Sequence, residues 1–319
     1  MSAPLQSGYT LQRPTMDDAP RVHKLLAIVD TAEFGDADDA SLEDLLDLWR
    51  RINLEQDIWL VIAPDGELAG YGYVQQRQII RNDVEVYVHP AHEGCGIGTT
   101  LVRWSEAWAR DAVPLAPSGE QVYINNWINA ANSAARELLE QEGYHPARFF
   151  WRMGISLESE RAPWLWPEGI TVRTAAEIGD LHQFYEIVEE GMADHWGHVA
   201  VPYDEWVERN RGSGFDARLW FLAFAGETPA GAALCQATEG AGWVETLVVR
   251  RAYRQRGLGS ALLANAFDKL QQGGNTMGRL VVDADSLTGA TRLYERAGMQ
   301  VEQQYAAYRK WLSEQDPTA

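Results

Sequence analysis

Residues 245–262 read ETLVVRRAYRQRGLGSAL. An extended run rich in β-branched residues, 246–249, leads into a basic turn. Two glycines one residue apart follow, and then an apolar pattern with helical spacing. Residues 84–101, VEVYVHPAHEGCGIGTTL, repeat that plan. Gly96 and Gly98 of this stretch correspond to Gly257 and Gly259 of the other, half the chain later. The sequence is one domain written twice. Each glycine turn opens a helix, and the free N–H groups of a helix start can hold a phosphate.

The order of elements outward from the two turns is the same. In the first half, a strand over 9–13 precedes a helix from the cap at Thr15 through Val29 and a second from Ser41 to Trp49. Strands over 57–63 and 68–76 are joined by the turn Pro64-Asp65-Gly66, and 83–88 is the strand before the glycines. The helix after them runs to Arg110. A strand over 121–125, a helix over 132–141 capped by Gly143 and closing strands over 144–156 complete this half. In the second half the corresponding segments are 170–173, a helical pattern over 176–191, a hairpin over 218–225 and 229–237, 243–249, 257–272, 277–282, 288–297 and a closing strand over 301–311. The expected fold class is α/β, a mixed sheet with helices on its faces, in two tandem domains related by the repeat. The expected boundaries are 1–157 and 169–319. The proline-containing stretch 158–168 is expected to be the linker, pinned to a domain surface by Trp164 and Trp166.

Composition bounds the function. The chain of 319 residues, 46% hydrophobic and 23% charged, is long enough for two globular cores. No run of about 18 apolar residues occurs, so no membrane span is expected. The N-terminal residues lack a basic segment followed by an apolar one, so a cytoplasmic location is expected. Two cysteines build no disulfide framework. The net charge of −19 repels nucleic acid and attracts cationic amines.

The turns themselves exclude two familiar phosphate loops. No GxxxxGK[ST] is present, and GCGIG and GLG lack the GxGxxG spacing. What remains is [RQ]xxGxG, here Arg254-Gln255-Arg256-Gly257-Leu258-Gly259, followed later by the amphipathic helix ATRLYERAGM over 290–299. In that order the two motifs resemble the GNAT superfamily of acetyl-CoA-dependent N-acyltransferases, over nearly the whole chain. The resemblance implies two GNAT-like domains and acetyl-CoA as the acyl donor. It makes Leu247, Val248 and Val249 the strand that binds the pantetheine arm. It assigns the coenzyme A pyrophosphate to Arg254, Gln255, Arg256, Gly257, Leu258, Gly259 and Ser260, and makes Tyr294 the acid beside the thioester sulfur. Ser286 stands where the family commonly has an asparagine that contacts the coenzyme.

The first half departs from the pattern. Its counterparts are Val86, Tyr87 and Val88 on the strand and Gly94, Gly96, Gly98 and Thr99 in the turn. However, Glu93 replaces Arg254, and a carboxylate beside a pyrophosphate has the wrong Coulomb sign. Leu139 replaces Tyr294 and cannot donate a proton. The C-terminal half is therefore expected to be catalytic. The N-terminal half is expected to be degenerate, a weak coenzyme site or a structural and substrate-shaping partner.

Acyl transfer to an amine requires removal of a proton, polarisation of the carbonyl and protonation of the leaving thiolate. Glu245, on the strand leading to the thioester, is the expected base, acting directly or through water, with direct attack by the amine. The aromatic, acidic stretch 189–206 is the expected acceptor site, with Asp194, His195, Trp196 and Tyr203 as substrate-binding residues. His195 and His198 lack a completing ligand, so no metal is expected. Cys95 and Cys235 have no evident histidine partner and are not expected to be nucleophiles. The expected partner is a small-molecule amine, with a monomer consistent with the sequence. A protein or peptide N-acetyltransferase and a non-catalytic acetyl-CoA-binding sensor are the alternatives.

Overall fold

A computed structural model describes residues 5–35, 41–212, 214–238, 241–286 and 289–312. The first half contains β1 (Thr10–Gln12), α1 (Ala19–Phe34), α2 (Leu42–Arg50), α3 (Leu54–Asp57), β2 (Ile58–Ile62), β3 (Leu68–Gln78), β4 (Arg81–Val88), α4 (Ile97–Arg110), β5 (Tyr123–Asn129), α5 (Ser133–Gln141) and β6 (His145–Ser156). The second contains β7 (Ile170–Thr174), α6 (Ala175–Ile178), α7 (His182–Met192), α8 (Tyr203–Asn210), β8 (Trp220–Ala225), β9 (Thr228–Ala237), β10 (Ala241–Val249), α9 (Leu258–Gln272), β11 (Met277–Asp283), α10 (Ala290–Arg296) and β12 (Gln300–Trp311).

Local chemistry sets the element ends. Ser41 caps α2 by accepting the Asp44 N–H at 3.2 Å, and Asn132 caps α5 by accepting that of Ala135 at 2.9 Å. The helical pattern over 176–191 forms two helices, because Gly179 at φ 74° ends α6 in the left-handed region. The stretch beginning at Tyr203, read in the sequence as part of an acceptor loop, is helix α8.

The chain divides into two compact units at places other than the expected linker. One unit holds the residues through Phe149 together with those from Gln303 onward, and the other holds Phe150 to Glu302. In the first, the strand order is β1-β2-β3-β4-β5, and β5 then pairs antiparallel with β12, from Asn129↔Tyr305 to Tyr123↔Trp311. In the second, the order is β7-β8-β9-β10-β11, and β11 pairs antiparallel with β6, from Asp283↔Phe150 to Met277↔Ser156. Each half's last strand thus completes the other unit's sheet, which corrects the boundaries 1–157 and 169–319. The physical reason is burial: Met153 of β6 lies in the core with Leu263 and Leu280, while Ala306 and Tyr308 of β12 lie in the core with Val84 and Ile124. Segment 158–168 lies along α9, where Trp164 Nε1 donates to Asp268 Oδ2 at 2.8 Å and Arg161 pairs with the same carboxylate at 2.7 Å. Trp166 packs against the second core, so both tryptophans hold this segment down.

Within the second unit, α9 packs one face of the sheet through Leu258, Leu262 and Phe267. On the other face α7 packs Phe184, Ile187 and Val188 against Leu234 and Val248. Gly191 lets the end of α7 sit directly on β10: a Cβ there would come within 2.6 Å of Val248 Cβ. The first unit repeats the plan, with α4 and α5 over Val84 and Ile124, and α1 and α2 over Leu60 and Tyr71.

Candidate active site

Strand β10 runs parallel to β11 for only three pairs, Ala241↔Met277 to Trp243↔Arg279. Beyond Trp243 it stays paired with β9 as far as Val249↔Gly231. Its other edge is open, and alternate residues there turn N–H and C=O groups into the gap. The register slips between Val244 and Thr246, leaving Glu245 in a bulge. Val244 and Leu247 pack on the α9 face and Val248 on the α7 face. Glu245 and Thr246 consequently both turn to the α7 face, as a bulge allows. The exposed Glu245 lies at the mouth of the gap.

The turn after β10 forms a cradle of donors. Gln255 has φ 61° and Gly257 has φ 79°, both in the left-handed region. A Cβ on Gly257 would meet nothing within 4 Å, so the space over the turn is open. Among the described residues, the N–H groups of Gln255, Arg256, Gly257, Leu258, Gly259 and Ser260 have no hydrogen-bond partner. They lie at the positive end of the 15-residue helix α9. Arg254 Nε donates to the Val249 carbonyl at 2.9 Å, and the Arg256 guanidinium lies 5.7 Å from the Tyr253 ring. Open space, free donors and two guanidinium groups suit a diphosphate.

Gly259 brings α10 to this corner. A Cβ there would lie 3.0 Å from Leu293 Cδ1 and 3.7 Å from Val249 Cγ2, so the two helices and the strand end pack closely around this glycine. The next residue of α10 after Leu293 is Tyr294, 8% exposed, whose hydroxyl burial pushes up to about 12. No hydrogen bond among the described residues engages that hydroxyl, and it stays protonated at neutral pH. Half-buried Ser286 tightens the turn after β11: its N–H donates to the Asp283 carbonyl at 3.1 Å and its carbonyl accepts from Gly289 at 3.3 Å.

The residues after α7 bridge the gap. Asp194 pairs with Arg251 just past β10, and that guanidinium holds its carboxyl below the usual range. Burial lowers the His195 imidazole, opposed by the nearby Asp283 carboxylate at the end of β11. The Trp196 ring packs against Phe150 of β6 at 5.9 Å. Three successive side chains thus reach the ends of β10 and β11 and the middle of β6 in turn. Below them Val281 is 53% exposed, between the buried Leu280 and Val282. Arg279 and Arg152 flank it, both paired with Glu302 at 2.9 and 3.3 Å. Val281 thus lies in an open recess on this face of β11.

Of the expected substrate residues, His195 and Trp196 border the recess and Asp194 anchors the loop. Tyr203 instead stacks on His182, with ring centroids 3.6 Å apart, and packs α8 against α7. His198 faces Glu189 at 3.2 Å, and no group of three metal-ligating side chains occurs among the described residues. Sequence reasoning missed Phe150, Arg152, Val281, Asp283 and Glu302. The signal available was the acidic run Asp283-Ala284-Asp285 closing a strand.

The first unit repeats the frame with other side chains. Strands β4 and β5 are parallel from Arg81↔Tyr123 to Glu85↔Trp127, after which Val86, Tyr87 and Val88 pair with β3 alone, without a bulge. Gly94 and Gly96 have φ 74° and 79°, and Gly98 approaches Leu138 and Val88. Thr99 is buried, the Cys95 carbonyl accepts the Gln6 N–H at 3.1 Å, and Tyr9 donates to Cys95 Sγ at 3.4 Å. Leu139, 2% exposed, is core. Cys235 is also core, and burial pushes its thiol far above the ordinary value, which removes it as a nucleophile.

Comparison with known proteins decides the assignment. The sequence profile of the Acetyltransferase (GNAT) family matches residues 22–144 and 181–299. The chain belongs to the GNAT acetyltransferase family. It is an N-acetyltransferase with two GNAT domains, as the motifs around Gly257 and Tyr294 led one to expect. This acetyltransferase is 30% identical to a mycothiol acetyltransferase of Streptomyces scabiei over 75% of both chains. It is 38% identical to a GCN5-related N-acetyltransferase of Sphaerobacter thermophilus, with a TM-score of 0.86 and 98% of each chain covered. A tandem GNAT protein from the clavulanic acid biosynthesis pathway shares its fold, with a TM-score of 0.73 at 16% identity, over 97% of this chain and 100% of that one. Among the described residues of the acetyltransferase, no helix is long and apolar enough to cross a membrane.

Proposed function

We propose that the second unit transfers an acetyl group from acetyl-coenzyme A to the primary amine of a small molecule, by direct attack. Three features carry this reading: the bulged Glu245 on the open edge of β10, the free N–H groups of residues 255–260 that follow that strand, and the buried phenol of Tyr294, next in α10 to the Leu293 that packs on Gly259. Bound coenzyme supplies an activated acyl group. Residues 254–260 hold its diphosphate, and the open edge over Leu247, Val248 and Val249 accepts its amide-bearing arm. Glu245 takes the proton of the ammonium, directly or through one water, and exposure at the mouth lets it pass that proton to solvent. Tyr294, protonated well above neutral pH, gives its proton to the departing sulfur.

The recess over Val281 receives the amine, with Asp283 and Glu245 supplying negative charge and Trp196 a ring face. Because relatives act as mycothiol acetyltransferases, an amine related to mycothiol heads the candidate acceptors. The test is amine-dependent thiol release from acetyl-coenzyme A across an amine panel. Release with such an amine, lost in Glu245→Gln and Tyr294→Phe, is the expected result. Release that ignores both substitutions removes the assignment to this gap. The first unit is proposed to be non-catalytic, since Leu139 offers no proton.

A further inference from the structure

The first unit carries a side-chain cluster that this chemistry leaves unused. Tyr71, Tyr73 and Tyr87 stand together on the α1 face of β3 and β4. The Tyr71 centroid lies 5.7 Å from that of Tyr73 and 6.0 Å from that of Tyr87, the latter pair stacked. The Tyr71 hydroxyl accepts from Trp49 Nε1 at 3.0 Å, which fixes the central ring. Tyr87 donates to Glu85, and the Tyr73 hydroxyl engages the same carboxylate. Glu85 is the last residue of β4 paired with β5, so its carboxylate stands where those strands part. By register Thr246, next to the bulged Glu245, holds the equivalent place in the second unit.

The cluster keeps a partly open face. Glu85, Tyr73 and Tyr87 keep partial exposure, although burial is the leading cause that raises both phenols. Asp30 of α1 adds negative potential at Tyr87. Glu33, one turn on, accepts from Asn132 at 2.6 Å, and burial raises its carboxyl. No Lys, Arg or His pairs with Glu85 among the described residues. A partly buried carboxylate ringed by aromatic faces is complementary to one kind of ligand, a cation with an organic body.

We propose that this partly open cluster is a second amine site without catalysis: a primary ammonium ion seated on Glu85, its carbon chain against the Tyr73 and Tyr87 rings. The ligand is held and not acetylated, because Leu139 fills the place of the proton donor. The first unit then senses or stores amine, independently of whether the second unit turns it over.

Calorimetric titration of the full chain with n-butylamine tests the proposal, with n-butanol as the uncharged control. The wild type is expected to show a binding event that n-butanol lacks. Glu85→Gln should weaken it about tenfold, the order of a charge-assisted hydrogen bond. Glu245→Gln should leave it in place, which separates this site from the proposed active site. An isotherm unchanged by Glu85→Gln, or non-specific attraction equal in both proteins and lost in salt, overturns the proposal. Should Glu85→Gln fail to fold, Tyr73→Leu reads the same site through the missing ring, expected at about threefold. An unchanged affinity in that variant overturns it equally.

Discussion

Gly94 and Gly96 of the first half take φ of 74° and 79°, and Gln255 and Gly257 of the second take 61° and 79°. Next to these matched backbones, Glu93 stands for Arg254, and Leu139 for Tyr294. An unbroken β4 stands for the bulged β10. The contrast separates two kinds of constraint. Left-handed glycines at 94, 96 and 257 and the packing of Leu138 and Leu293 beside Gly98 and Gly259 hold both corners in shape whatever they bind. Charge, proton donor and bulge have no such structural duty, and those are the features in which the halves differ. A shared turn therefore reports ancestry and fold, while the side chains around it report chemistry.

The sharpest way to break the contrast is to remove the proposed acid and base. Tyr294→Phe and Glu245→Gln should each lower kcat about 100- to 1,000-fold in the thiol-release assay, the scale of a lost general acid or base. Leu139→Met, the mirror position, should stay within about twofold. A comparable loss at Leu139 would erase the distinction between the halves. The turns give a smaller effect. Gly257→Ala should raise KM for the acyl donor about tenfold, through about 1–2 kcal/mol of left-handed strain in the donor cradle. Gly96→Ala should not alter that KM, and steady-state kinetics on both variants decides.

A pH profile sharpens the role of Tyr294. Burial raises its hydroxyl to about 12, so the protonated form persists above the ordinary value of 10. Activity should hold level from about pH 8 to about pH 10. A descending limb near pH 9 that vanishes in Tyr294→Phe would contradict the phenol's protonation. By linkage, the burial of this phenol costs nothing below pH 10, and stability is lost between pH 10 and about 12, where only the unfolded chain releases the proton. The smallest effect is expected at Gln255. Its φ of 61° suits glycine, as Gly94 illustrates, so Gln255→Gly should change stability by less than about 1 kcal/mol. Strain relieved and chain entropy added oppose each other there, and urea unfolding measures the balance.

The repeat, the strand-turn-helix corners and the caps were legible because each depends on residues near in sequence: Ser41 with Asp44, Gly257 with the helix it opens. The closing strands were not legible. Which sheet takes 150–156 or 305–311 depends on the edge that their buried residues fit in space, and no local pattern encodes that. The proposed acceptor recess was half legible for the same reason. His195 and Trp196 lie on a stretch whose composition announces a ligand, whereas Phe150, Arg152 and Asp283 become neighbours only after β6 pairs with β11. The bulge at Glu245 escaped because one slipped residue leaves the β-branched pattern intact. Glu85 escaped because its partners, Tyr73 and Tyr87, read as ordinary strand residues.

The crossed closing strands make birth on the ribosome uneven. β5 awaits Tyr305–Trp311, the last of the described strands in chain order. At about 5–20 residues per second, a nascent first unit carries an unpaired sheet edge for on the order of ten seconds or more. During that interval the edge is open to strangers. Chaperone dependence, and damage from truncation just before Tyr305, should therefore fall first on the half made earliest.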